Sequence, residues 1–294
     1  MATARFLFQS LRPRQWIKNG FILVPLPFAQ KVFHVPSVLR CVEGMIIFCL
    51  LTGGVYLIND LVDLESDRQH PVKKNRPLAQ GLIPSSLAKV AAAFLISCAL
   101  ASGTSLGTGF FLILVAYLAI QVLYNYRLKE TVILDIFCVS GGFFLRVVAG
   151  CAAIHVAISH WLIICSILIS MFLALAKRRH ELVLLGESHA GNHRKVLSEY
   201  SPQLLDQMIA VVTAATLLSY MLYCISTETI EKFQTDHMIY TFPFVLYGIF
   251  RYLYLIHQKN EGGSPEKILV SDVPILLSLI LWSVASMLIV YGVM

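Results

Sequence analysis

The sequence predicts an all-α, polytopic membrane protein with about nine crossings, and three observations carry that prediction. Of 294 residues, 57% are hydrophobic and 14% are charged, with a mean hydropathy of +0.73, far outside the range of water-soluble domains. Apolar stretches long enough to cross a bilayer recur along the whole chain. The Lys and Arg residues fall in alternate connections between them, the pattern that sets membrane topology.

The stretches lie at roughly 16–33, 38–58, 85–104, 108–125, 132–154, 159–176, 204–226, 237–257 and 272–292, each near the length a membrane helix needs. The first is short and carries Pro25 and Pro27, so it is expected to be bent or partly re-entrant. The connections Arg68 to Arg76, Arg127 with Lys129, Lys177 to Lys195, and Lys259 with Lys267 are basic. Those between them are nearly free of Lys and Arg: Gly103 to Thr108 and Ile154 to His160 have none, and Thr227 to Asp236 has only Lys232. Lys31 and Arg40 flank the first outer connection against the trend. The amino terminus, with Arg5, Arg12, Arg14 and Lys18, is therefore expected inside and the carboxyl terminus outside. No small-residue cleavage site follows the basic start, so a removed signal peptide is not expected. A single membrane domain over residues 1–294 fits the absence of any linker or second polar domain.

Several classes are disfavoured. The net charge of +6 is spread by connection and forms no patch, so nucleic acid is not an expected partner. The seven cysteines stand singly, with neither zinc spacing nor a disulfide framework, and read as small buried hydrophobes. His70 and His180 lack transition-metal spacing, and His155 and His160 fall on the outer side.

The chemistry concentrates where the second apolar stretch ends, in Asn59-Asp60-Leu61-Val62-Asp63-Leu64-Glu65-Ser66-Asp67. On a helix, Asp60, Asp63 and Asp67 would project from one face over two turns. Like charges at that spacing repel, and proximity to lipid raises their cost. A hard divalent cation, shared with the phosphates of a ligand, removes both problems. Lys73, Lys74 and Arg76 follow, in a segment that Pro71, Pro77 and Gly81 mark as a structured loop. Carboxylates for a metal beside cations for phosphate oxygens suit a phosphorylated ligand. Arg146 is a separate signal, because a cation well inside an apolar stretch is costly unless paired, as with Asp135, snorkelling, or facing a substrate.

The motif NDxxDxxxD over Asn59 to Asp67, followed by DRxHPxKxxRPLAxG, resembles the first signature of the UbiA superfamily of intramembrane prenyltransferases. The resemblance implies about nine helices around a central cavity, a cytoplasmic-facing active site in the cell (inner) membrane, and bound magnesium. Common members carry a second aspartate motif after the sixth span. Here that stretch is Leu175-Ala176-Lys177-Arg178-Arg179-His180-Glu181-Leu182, with no aspartate. One branch matches better, the decaprenyl-phosphate phosphoribosyltransferases. The points of similarity are Arg12-Pro13-Arg14-Gln15-Trp16-Ile17-Lys18-Asn19, Asp135-Ile136, Gly142-Phe143, Leu145 to Gly150, Lys177 to Leu182, and Gly262-Gly263-Ser264-Pro265-Glu266 before Asp272.

That branch implies transfer of phosphoribose from phosphoribosyl pyrophosphate to a polyprenyl phosphate. Asn59, Asp60, Asp63 and Asp67 are then expected to serve magnesium and the donor, with Asp60, Asp63, Asp67 and Lys177 as the catalytic set. Lys73, Arg76, Lys177 and Arg178 are expected on phosphates, and Lys18 and Lys129 on the acceptor phosphate or leaving group. Asn19, Asp135, Arg146 and Glu181 complete the expected substrate-binding set. Tyr124 joins them, although a tyrosine beside Arg127 and Lys129 also marks an interfacial belt. The alternative enzyme moves a prenyl group from a prenyl diphosphate to an aromatic or other small acceptor. A transporter would spread its charges through several spans, whereas here they collect at one membrane face. Small residues within the spans leave room for a homo-oligomer.

Overall fold

The computed structural model describes residues 2–69, 73–185, 195–259, 262–263, 268 and 271–292, and among them every regular element is helical. His70 and Pro71, the 186–194 part of the third basic connection, and Ser264 to Lys267 lie outside the described residues. Among the described residues eight helices are long and apolar enough to cross a membrane. They are α1 Val35–Val62, α2 Ser85–Gly103, α3 Thr108–Tyr126, α4 Leu134–Ala153, α5 His160–Leu185, α6 Pro202–Ile225, α7 Phe242–Gln258 and α8 Val273–Val290. The remaining apolar stretch is bent, as Pro25 and Pro27 require: Pro13–Leu23 is a 3₁₀ helix and Pro25–Phe28 a single α-turn.

Two helices outrun their apolar stretches. α1 has 28 residues, about 42 Å at 1.5 Å per residue, against a hydrocarbon layer of about 30 Å. α5 continues past Ala176 through Lys177 to Leu185. Hydropathy marks where lipid ends, but Lys, Arg, Glu and Leu all favour the helix, so the backbone does not stop there. Apolar side chains left outward, such as Val90 at 66%, Phe94 at 65% and Val211 at 69% exposure, form surfaces suited to lipid.

The chain divides into two compact units. The first comprises Met1–Leu26, Lys31–Lys129 and Leu145–Ala157, and the second Pro27–Gln30, Glu130–Phe144 and Ile158–Met294. Within the first, α1 packs most extensively on α2. A Cβ at Gly54 would meet Ile96 Cγ1 at 2.7 Å and the Ala92 carbonyl at 3.1 Å, so glycine sets their close approach. The 3₁₀ segment seats on α4 at Gly150, whose Cβ would lie 2.2 Å from the Ile22 carbonyl oxygen. Two backbones cannot yield as a side chain can. Gly150→Ala is therefore expected to cost about 1–3 kcal/mol, read as a lowered thermal midpoint in detergent. An unchanged midpoint would mean the segment is not seated there.

In the second unit α5 and α6 form the most extensive pair. One end is filled by Leu175, Leu182, Leu205, Ile209, Leu255 and Ile256, and another apolar cluster gathers Tyr220, Tyr223, Cys224, Phe233 and Met238. Asp272 caps α8 by accepting from the Ile275 N–H at 3.0 Å, and it also accepts from Arg251. That ion pair, together with the cap, holds its carboxyl below the usual range.

Candidate active site

In the first unit the chain supplies three carboxylates and three cations at the end of α1. Asp60 accepts from Arg12 and, at 3.1 Å, from Arg76 Nη1, which also donates to Asp67. Asp63 accepts from Lys129 Nζ at 2.7 Å. Asp60 and Asp67 are each 2% exposed, and at that burial a carboxylate requires such partners. The expected single helical face is not what forms. Asp63 leaves the helix at φ −89°, ψ 7°, and a short helix Leu64–Gln69 follows. Asp60 and Asp67 converge on one guanidinium while Asp63 turns to Lys129.

Among the described residues no three His, Cys, Asp or Glu side chains converge as a metal cluster. The donor set nonetheless suits magnesium, which commonly takes one or two carboxylates and completes its octahedron with water and phosphate. Asp67 Oδ1 is buried without a hydrogen-bond partner, a hard oxygen left for a ligand. Asp60 and Asp67 are thus the pair this geometry offers to a divalent cation. Asn59, Lys18, Lys73 and Tyr124 are half-buried.

Arg12 was not singled out as a site residue by sequence reasoning, although it opens one of the matching segments. It enters the 3₁₀ segment with φ 54°, ψ 62°, its guanidinium 4.9 Å from the Tyr56 ring centroid. Only the fold brings it 48 positions along the chain to Asp60.

Arg146 is 5% exposed and held by neighbouring polar side chains of the first unit. Its Nε donates to Asn19 Oδ1 at 2.8 Å and its Nη2 to the Tyr117 hydroxyl at 2.9 Å. Asn19 in turn donates to Thr52 Oγ1 at 3.3 Å. Arg146 thereby ties the 3₁₀ segment, α1, α3 and α4 at membrane depth, where such bonds replace water.

In the second unit Arg178 is committed to internal partners. It donates from Nε to Asp135 Oδ2 and from Nη1 to Glu181 Oε2, both at 2.7 Å. Asp135 is 0% and Arg178 4% exposed. Tyr200 completes the cluster, donating to Asp135 Oδ1 at 2.9 Å and accepting from the Ile133 N–H at 2.6 Å. Burial pushes its phenol up to about 12, so it stays a donor at neutral pH. Tyr200 carried no sequence signal, being one tyrosine before a helix. Lys177 differs from its neighbour: it stands 4.0 Å from Glu181 Oε1 and its side chain is 45% exposed. Arg178, Asp135 and Glu181, all expected on substrate, are joined to one another here, and Lys177 is more exposed than Arg178.

The sequence profile of the UbiA prenyltransferase family matches residues 23–284. The decaprenyl-phosphate phosphoribosyltransferase of Corynebacterium glutamicum is 31% identical over 295 residues, covering 97% of this chain and 86% of the relative. The protein of the same name from Mycolicibacterium smegmatis is 30% identical over 288 residues, covering 94% and 89%. A UbiA homolog from Archaeoglobus fulgidus, bound to GPP and Mg2+, superposes with a TM-score of 0.74 at 19% identity, over 97% of this chain and 99% of its own. That likeness concerns the all-helical fold.

Proposed function

The chain belongs to the UbiA prenyltransferase family, and we propose that within it this protein transfers 5-phosphoribose from phosphoribosyl pyrophosphate to a polyprenyl phosphate of decaprenyl type. Relatives named for that activity match over nearly the whole chain. The observation that carries the reading is Lys177, its side chain 45% exposed, at the place where common family members hold a second aspartate motif. A prenyl diphosphate has phosphate at one end only, whereas the phosphoribosyl donor has a diphosphate and a separate phosphate. One carboxylate pair plus separate cations suits the latter.

In this reading Asp60 and Asp67 hold magnesium, which supplies charge neutralisation at the leaving diphosphate. Arg12, Arg76 and Lys129, already paired to carboxylates, are the cations this site offers to incoming phosphate oxygens. The acceptor phosphate is an anion at neutral pH and needs no general base. Its oxygen forms the new bond to the anomeric carbon as the bond to diphosphate breaks, and pyrophosphate leaves. Direct attack inverts that carbon. The residues contribute by positioning and by holding charge where it develops. The whole chain acts as one catalytic domain in the cell membrane, with the acid-bearing end of α1 at the cytoplasmic face, as the distribution of basic connections supports.

The test uses purified full-length protein, magnesium, labelled phosphoribosyl pyrophosphate and a polyprenyl phosphate. Label is expected in the lipid phase, dependent on magnesium. Label remaining wholly aqueous, with a prenyl diphosphate consumed alongside an aromatic acid, would replace this reading by prenyl transfer.

A further inference from the structure

The second unit contains a recess that the transfer reaction does not use. Its cavity volume is about 60 Å³, and it is partly open to solvent. Its walls come from the start of α5, the end of α6 and the short helix Thr227–Phe233. Trp161 lines it near the beginning of α5, whereas Arg178 lies near that helix's other end. The recess is therefore about 25 Å along α5 from the Asp135–Arg178 cluster, at 1.5 Å per residue.

Phe28, Trp161 and Phe233 give it apolar walls. Tyr223 lines it too, 9% exposed, with its hydroxyl buried and without a hydrogen-bond partner. A buried phenol usually finds a partner. Glu228 and Lys232, one helical turn apart, stand exposed at the edge, and no ion pair joins them among the described residues. The recess thus offers an aromatic wall, one unsatisfied hydroxyl, and separated charges of both signs.

We propose that this recess binds one phospholipid carrying a primary ammonium headgroup, such as a phosphatidylethanolamine. Lys232 meets the phosphate, Glu228 accepts from the ammonium, and the Tyr223 hydroxyl donates to a glycerol ester carbonyl. The first acyl carbons lie against Phe28, Trp161 and Phe233. A soluble zwitterion would leave the aromatic wall unfilled. A lipid with only negative charge would set its phosphate beside Glu228. A trimethylated ammonium has no N–H to give the carboxylate. The site is independent of the transfer reading and stands or falls apart from it.

The test is native mass spectrometry of the full-length protein after reconstitution with equal phosphatidylethanolamine, phosphatidylcholine and phosphatidylglycerol. One phosphatidylethanolamine should be retained per chain, in about tenfold excess over either competitor. Tyr223→Phe and Lys232→Ala should each lower its retention about tenfold, and Glu228→Gln should erase the preference among headgroups. Tyr223→Phe keeps the ring on Phe28, so an unaltered thermal midpoint separates lost binding from lost folding. Equal retention of all three lipids, an unchanged profile in the variants, or a polyprenyl phosphate retained instead would overturn the proposal.

Discussion

Asp67→Asn is expected to lower kcat for lipid transfer by about 10²–10³ while the protein still inserts and folds. Asparagine keeps the shape of the side chain and removes one unit of charge. Asp67 is 2% exposed, accepts from Arg76 through one oxygen, and has its other oxygen buried without a partner. Arg76 retains Asp60 at 3.1 Å, so the loop that carries it stays anchored. The loss should therefore show in metal use more than in stability. The magnesium concentration for half-maximal activity should rise at least about tenfold, as expected when one of two charged ligands is neutralised. Asp63→Asn is the informative comparison. Spacing ranks it equal to Asp67, but Asp63 is paired to Lys129 at 2.7 Å. It should slow turnover without moving the magnesium requirement. If Asp67→Asn keeps normal turnover and the wild-type magnesium dependence, the metal assignment is wrong.

The contrast between those two aspartates shows where the sequence stops being informative. The eight long helices follow from hydropathy because lipid contact is a property of each residue's own transfer energy. The position of the acids at the end of α1 was legible for the same reason. Their partners were not, since Arg12 lies 48 positions from Asp60 and Lys129 lies 66 from Asp63. Such pairs depend on how α1, the 3₁₀ segment and the turn after α3 pack, and no local pattern encodes that. The break at Asp63 was hidden too, because charged residues that favour a helix do not announce where its axis shifts. Arg146 illustrates the opposite case. Its cost inside a span made it conspicuous, yet its partners, Asn19 and Tyr117, came from elements no charge-pairing rule would select.

Lys177 and Arg178 are adjacent, identical in sign and similar in sequence context, and their alanine variants should fail in opposite ways. Arg178→Ala removes the guanidinium from Asp135, which is 0% exposed, and leaves it the Tyr200 hydroxyl at 2.9 Å. Stranding a buried carboxylate is expected to cost about 3–5 kcal/mol, so little folded protein should survive extraction. Arg178→Lys should not restore it, since an ammonium cannot reproduce the two separate bonds from Nε and Nη1 to Asp135 and Glu181. The double variant with Asp135→Ala should be less unstable than the two single losses summed, because the buried charge is then gone. Lys177→Ala loses an ion pair of 4.0 Å on a side chain 45% exposed, worth at most about 1 kcal/mol, and should fold normally. Its kcat/KM for phosphoribosyl pyrophosphate should nevertheless fall by about 10² or more, the loss typical of a cation removed from a phosphate. Thermal midpoints and steady-state kinetics of the two variants, measured side by side, decide the matter. A Lys177→Ala protein with normal kcat/KM would take that cation out of the site, and with it the observation on which the choice of donor rests.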